Sequence, residues 1–178
     1  MGYTSYFYRK QELDAEKFAS FAEDVRTLLS RADIPLTGVD DCDGPTINKD
    51  TIWFNGKDDD AHETMVIHQI YQGLHAGDEK PFAFCKTAHK PYDKYVVATL
   101  ILAKLYFEKD FDISSDGDIP EWQEGLQIVN TIFDYDVKII EGEDQAVENA
   151  TITATNFFPH QVKNLDEFER EINNPTYK

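Results

Sequence analysis

Positive charge is scarce in this chain: 17 Lys and Arg stand against 34 Asp and Glu, giving a formal net charge of −17 over 178 residues. A surface so acidic repels phosphate backbones, so nucleic acid is not an expected partner. Cysteine is scarcer still. Cys42 and Cys85 are the only two, with no CxxC pair, which excludes a disulfide scaffold and makes a reducing, cytoplasmic setting the expectation. The longest strong apolar run, Tyr95 to Ala103, falls well short of the roughly 18–20 residues that a membrane span needs, and no membrane partner is expected. The opening MGYTSYFYRK lacks the charged start and apolar stretch of a secretory signal.

Familiar chemical signatures are missing as well. No GxxxxGK[ST] loop occurs, nor a GxGxxG after a strand, which removes the common nucleotide-binding enzymes. His62-Glu63 begins an HExxH pattern, but Val66 stands where the second histidine belongs. Placing Gly44 at the sixth position of a calcium loop puts Val39 first and Asp50 last, losing two oxygen positions. The five histidines show no zinc-like spacing with the cysteines. Neither a metal nor a cofactor is expected.

What is present is a core. Apolar residues make up 41% of the chain and aromatics 13%, enough for one domain with its own interior. Thr- and Tyr-rich residues 3–9 read as a strand. Asp14 can cap a helix to Ala32, with Phe18, Phe21, Ala22, Val25, Leu28 and Leu29 at helical spacing. Residues 34–49 carry loop signals, and strands are expected at 51–55, 63–70, 82–87 and 111–115. Pro91 suits the first position of a nearly all-apolar helix to Lys109. Asp118 or Pro120 opens a third helix with Trp122, Leu126, Val129, Ile132 and Phe133 on one face. Beyond Asp134, strands are expected at 137–140 and 150–158, an alternative helix at 145–149, and a short helix at 165–172 before a tail. The expected fold is α/β or α+β: a mixed sheet of five to six strands, with helices 14–32, 91–109 and 119–133 packed on it. The helices flanking the Phe111 strand predict a βαβ crossover. Residues 1–134 form the core, and 135–178 an acidic extension on the same domain.

Polar residues gather at the ends of the expected strands: Asn55-Gly56, His62-Glu63, Cys85-Lys86-Thr87 and Ser114-Ser115-Asp116. Two of these strands run straight into helices, whose N-termini attract anions. If the two are parallel, Lys86, Thr87, Lys90 and Ser115 meet at one sheet edge, where the lysines and hydroxyls suit a phosphate or carboxylate. Cys85, beside Lys86 and near a helix start, is a candidate nucleophile, with His62 or His89 as base and Glu63 or Asp93 as its orienting partner. Strand alternation sets Cys85 opposite Phe82 and Phe84 without telling which side faces the core. The aromatic cluster Tyr3, Tyr6 and Tyr8 offers stacking for a base or sugar, with Tyr6 and Tyr8 on one face with Thr4 in a regular strand.

The segments MGYTxY, FNG, HET, FCKTxxKPYD and SSDG before a Trp-containing helix resemble a family of uncharacterised bacterial and phage proteins. The matching residues are Met1 to Tyr6, Phe54 to Gly56, His62 to Thr64, Phe84 to Asp93 and Ser114 to Gly117. The resemblance implies that Asn55, His62, Glu63, Cys85, Lys86, Thr87, Lys90, Tyr92, Asp93, Ser115 and Asp116 belong to one site. The first functional expectation is a cytoplasmic binding protein for a small anionic metabolite such as a nucleotide. Lys86 and Lys90 would take the charge, Thr87 and Ser115 the hydrogen bonds, and Tyr92 the stacking. For a phage-encoded chain, such a protein would sequester a host signalling nucleotide. The alternatives are an acyl-transfer enzyme or hydrolase using Cys85, and an acidic module that binds a protein partner.

Overall fold

The computed structural model describes residues 2–157 and shows an α+β fold. The expected helix 165–172, the tail after it and the last residue of the strand expected at 150–158 lie outside the described residues. Among the described residues, three α-helices pack with three small antiparallel sheets, of three, four and two strands. The single mixed sheet of five to six strands is therefore corrected. Residues 36–68 and 137–154 pair among themselves, whereas the first strand pairs with two strands distant in sequence, so three sheets form instead of one.

The first sheet positions the rest. Strand β1 (Thr4–Arg9) lies between β6 (Phe82–Lys86) and β7 (Phe111–Ser115), antiparallel to both. Helix α2 (Asp93–Phe107) joins β6 to β7, so these two run parallel, with β1 inserted between them. The expected crossover is thus present in split form. Twelve residues of α2 are buried, which explains its lack of a polar stripe.

Around α2 sit the amphipathic helix α1 (Ala15–Ser30) and α3 (Gln123–Ile132). Asp14 caps α1, its carboxylate accepting from Lys17 N at 2.9 Å, and Phe18, Phe21, Val25 and Leu28 enter the core. Helix α3 is entered through a 3-10 turn, Ile119–Trp122, closed by a capping box of Asp118 and Glu121. Gly125 lets α3 approach α2 closely: a Cβ there would stand 2.5 Å from a Val97 methyl.

The second sheet holds β2 (Leu36–Thr37), β3 (Thr46–Ile47), β4 (Thr51–Gly56) and β5 (Met65–His68). Strands β2 and β3 fall where only loop was expected, since two-residue strands leave no periodicity to read. Strands β8 (Val137–Ile140) and β9 (Thr151–Ala154) form the third sheet, and Val137 and Val147 join the common apolar cluster. Residues 147–149 form a 3-10 turn. Among the described residues, no helix is long and apolar enough to cross a membrane.

One buried cation ties the first two sheets together. The Arg9 guanidinium donates to the carbonyls of Lys10 (3.0 Å), Gln11 (3.3 Å), Gln69 (2.9 Å) and His68. Burial pulls its pKa down to about 10, so it keeps its charge at neutral pH. Replacing it (Arg9→Met) strands these acceptors, and urea unfolding is expected to show a loss of about 3 kcal/mol. A loss below about 1 kcal/mol would show that water satisfies the carbonyls instead.

Candidate functional site

Because β6 and β7 are parallel, both end beside the start of β1. There the Tyr3 carbonyl accepts from Thr87 N (2.9 Å) and Ala88 N (3.1 Å), and the Thr4 carbonyl from Asp116 N (3.0 Å). The Asp116 carboxylate accepts in return from Thr4 N (3.0 Å) and the Tyr6 hydroxyl (2.9 Å). Ser115 Oγ donates to the Tyr3 hydroxyl at 3.1 Å. Tyr3 and Thr4 are the centre of this corner; Tyr3, expected as part of a stacking cluster, is buried, with its hydroxyl accepting from Ser115.

A third segment docks on the end of β6. Asn55 folds the loop that follows β4: its Nδ2 donates to His62 O (2.8 Å) and Thr64 Oγ1 (3.2 Å), while its Oδ1 accepts from His62 N (3.1 Å). His62 Nδ1 lies 2.7 Å from Lys86 O. Glu63 then acts as a partner strand of one residue, its N–H donating to Lys86 O (3.1 Å) and its carboxylate accepting from Lys86 N (2.8 Å). The Glu63 carbonyl accepts from the Tyr92 hydroxyl at 2.6 Å and from Cys85 Sγ at 3.4 Å. Thr87 Oγ1 donates to Asp93 at 2.6 Å, and Lys90 Nζ to Asp59 O at 2.6 Å.

The residues singled out in the sequence thus lie close together, but their polar atoms hold one another. Lys86 and Lys90 do not converge on one anion. Cys85 faces the core, so Lys86 leaves the sheet on the opposite face and lies over Gly2, whereas Lys90 is anchored to Asp59. Tyr92 is buried with its hydroxyl engaged, so it offers no open ring for stacking.

The nucleophile reading of Cys85 meets the same obstacle. Burial pushes the thiol up to about 12; a hydrogen bond with Tyr92 opposes this, and the Glu63 and Asp93 carboxylates add to it. The His62 ring is engaged with the Lys86 carbonyl. Near neutral pH the sulfur is a buried, protonated thiol that packs as a small apolar group.

On the inner side, a cleft of about 330 Å³ opens beside Tyr3. The His89 ring lies against Tyr3, tilted by 31° with centroids 3.9 Å apart. His89 and Ala88 both have positive φ (58° and 50°), in a tight turn closed by Lys90 N donating to Thr87 O at 3.0 Å. Asp93, Glu121 and Glu124 line the cleft against Lys90 and Lys94, and Lys94 already pairs with Asp33 (3.0 Å) and Glu124 (3.7 Å). Burial raises the Asp93 carboxyl, against a hydrogen bond from Thr87 and the His89 charge. Carboxylates outnumber amines here, which does not suit an anion.

The outer face of the β6-β1-β7 sheet is different. The register sets Tyr6 opposite Phe84 and Tyr8 opposite Phe82, with Ser114 and Asp112 on the other flank. The rings form a continuous patch: Phe82 lies 5.0 Å from Tyr8, 5.8 Å from Phe84 and 5.9 Å from Tyr6. Phe84 remains 52% exposed and Tyr8 46%. A solvated sheet face ordinarily alternates to polar residues, so four adjoining aromatics are unusual there. Lys86 stands at one end of the patch. At the other, Lys80 and Lys104 converge on Asp112, Lys104 at 3.4 Å. Partial burial opposes ionisation of Asp112, but the Lys80 hydrogen bond and the two positive charges outweigh it and hold the carboxyl below its usual range. Three of the chain's 17 basic residues therefore fringe this face. The paired Tyr6/Tyr8 and Phe82/Phe84 alternations were visible in the sequence; that both point outward on adjacent strands was not.

Among the described residues, no cluster of three or more His, Cys, Asp or Glu is arranged to hold a metal ion. Compared with protein-family models, curated proteins and solved structures, the chain matches none.

Two expectations follow for Cys85. At pH 8, iodoacetamide should alkylate the exposed Cys42 in the folded protein and reach Cys85 only after unfolding; rapid double labelling would restore the nucleophile reading. A thiol raised from 9.0 to about 12 contributes stability in full below pH 9 and loses it as pH rises towards 12. The urea midpoint of the wild type should therefore fall more steeply over that window than that of Cys85→Ala. Parallel slopes would contradict the assignment.

Proposed function

We propose that this protein binds a small planar anion of the nucleotide class on the outer face of the β6-β1-β7 sheet. The observation that carries this reading is the exposed patch of Tyr6, Tyr8, Phe82 and Phe84, bounded by lysines in a chain otherwise dominated by carboxylates. Aromatic rings take the flat base by stacking, and ammonium groups take the phosphate. The overall charge of −17 favours a free small ligand over a long polyanion, whose many phosphates would be repelled.

Against the earlier expectation, the anion is assigned to Lys86 on the outer face, away from the Thr87–Lys90 turn, whose polar groups already hold the chain together. The protein is read as a binding protein. The buried thiol gives no support to a cysteine-dependent acyl transfer.

Thermal shift with a panel of nucleoside mono- and diphosphates tests the reading. A ligand at 100 times its dissociation constant adds about 2.7 kcal/mol, which for a domain of this size raises Tm by about 5–10 °C. Phe84→Ala should weaken binding by about 1–3 kcal/mol, and Lys86→Ala should weaken it while flattening its salt dependence. No shift with any nucleotide would refute the proposal. A shift that survives Phe84→Ala but disappears in His89→Ala would move the site to the Tyr3 cleft.

A further inference from the structure

Between Tyr71 and Pro81 the chain leaves the body of the protein as a strap, and residues 72–80 are all exposed. Both feet of this strap are fixed beside the aromatic patch. At one, Tyr71 N donates to Gln11 O (2.9 Å), Gln11 Nε2 to Tyr71 O (3.0 Å) and the Tyr71 hydroxyl to Phe82 O (2.8 Å). At the other, Arg9 N donates to Pro81 O (3.1 Å) and Lys80 pairs with Asp112.

The span between the feet is held differently. Ala76 N donates to Gly73 O (3.2 Å) and Asp78 N to His75 O (3.0 Å), while His75 Nδ1 lies 3.4 Å from the Asp78 carboxylate. These contacts fold residues 73–78 on themselves. Among the described residues, a single hydrogen bond ties that span to the rest of the chain, from Gly77 N to Gln11 Oε1 at 3.2 Å. Glycines stand at both of its ends. Gly77 has φ of 103° with open space around it, and Gly73 passes so close to the Tyr71 ring that a Cβ would stand 2.3 Å from the hydroxyl oxygen. Such positions absorb the dihedral changes of a hinged segment.

Leu74 lies just inside the first glycine and is fully exposed, more so than any other large apolar side chain among the described residues. The next residue, His75, sets its ring edge-on to Phe82 with centroids 6.0 Å apart. The strap therefore reaches the patch at the ring that adjoins both Phe84 and Tyr8. A lone exposed leucine needs no explanation. One carried between two glycines at the border of an aromatic patch can add apolar surface from above the sheet.

A flat base lying on a sheet ring has one face against protein and the other in water. Covering the second face removes apolar area of base and cover together from water, and closing breaks one exposed hydrogen bond that water replaces. We propose that the strap closes over the bound ligand, with Leu74 packing on the outward face of the base. The base is then held between an aromatic ring and an alkyl side chain. This rests on the nucleotide reading above and adds the residue that covers the ligand.

The test uses the full chain and whichever of AMP, GMP, CMP and UMP binds it most tightly by isothermal titration. Leu74→Ser should weaken that nucleotide about tenfold, whereas Leu74→Met, which keeps an alkyl cover of similar size, should stay within about twofold. Tm of the free protein should not move in either variant, because the side chain touches nothing when the strap is open. Saturating nucleotide should also slow thermolysin cleavage of the Gly73–Leu74 bond. Unchanged affinity in Leu74→Ser overturns the closure and leaves the nucleotide reading standing, and so does cleavage at the same rate with and without nucleotide. An equal loss in Leu74→Met overturns it too, since an apolar cover would have been kept. If none of the four nucleotides binds the wild type, the closure and the reading beneath it fall together.

Discussion

A guanidinium without water sets the terms for this fold. Arg9 stands at the last position of β1, buried, with the carbonyls of Lys10, Gln11, His68 and Gln69 as its acceptors. Those carbonyls come from two segments nearly 60 residues apart, one leaving the first sheet and one leaving β5 of the second. The backbone completes the join, with Leu13 N donating to Gln69 O and Tyr71 N to Gln11 O. The Tyr71 ring faces the guanidinium at 5.7 Å. A charge so placed tolerates few arrangements, because every unmet N–H or carbonyl would be left in a medium that cannot solvate it. Fixing Arg9 fixes how the two sheets meet, and with it the space that α1 and α2 fill.

The same economy of hydrogen bonds explains the corner around Tyr3 and Thr4. Three strand ends arrive there with unpaired backbone groups, and side chains supply the missing partners. Asp116 answers Thr4 N, Glu63 answers Lys86 N, and Asn55 answers His62 at both its backbone atoms. Groups that look chemically active in a linear reading are here structural acceptors and donors. A carboxylate that receives a backbone N–H at 2.8 Å is poorly placed to serve also as a general base. On the other side of the sheet, Tyr8 of β1 and Phe84 of β6 are the exposed side chains, while Tyr6 is tied to Asp116.

The two faces of this sheet differ in kind. The inner face of the three-stranded sheet, with Phe7, Cys85, Phe111 and Ile113, closes the core over α2. The outer face repeats an aromatic pattern that the core does not use. At one margin Lys80 and Lys104 are held by Asp112 and by backbone carbonyls, so they shape the local potential from fixed positions. In a chain of net charge −17, such local positive charge matters because it lowers the barrier that the remaining surface raises against anions.

Local pattern sufficed for the elements. The α1 stripe from Phe18 to Leu29, the apolar α2 behind Pro91, the β7 limits at Phe111 and Ser115 and the β8 limits at Val137 and Ile140 were all readable, because side-chain periodicity and capping act within one turn or one strand. A mixed fold, α/β or α+β, followed from their order, and the antiparallel sheets make it α+β. Thr87 and Ser115 were expected at one sheet edge, and the parallel β6 and β7 place both beside Tyr3. What the tertiary structure alone decided was pairing and facing. Strand β1 enters between β6 and β7 because Thr4 meets Lys86 on one side and Asp116 on the other, contacts that span more than 80 residues of chain. That insertion splits the crossover, divides the sheet expected as one, sends Cys85 inward and turns Phe84 outward. Alternation along a strand says that neighbours point opposite ways; only the position of the core says which way is in.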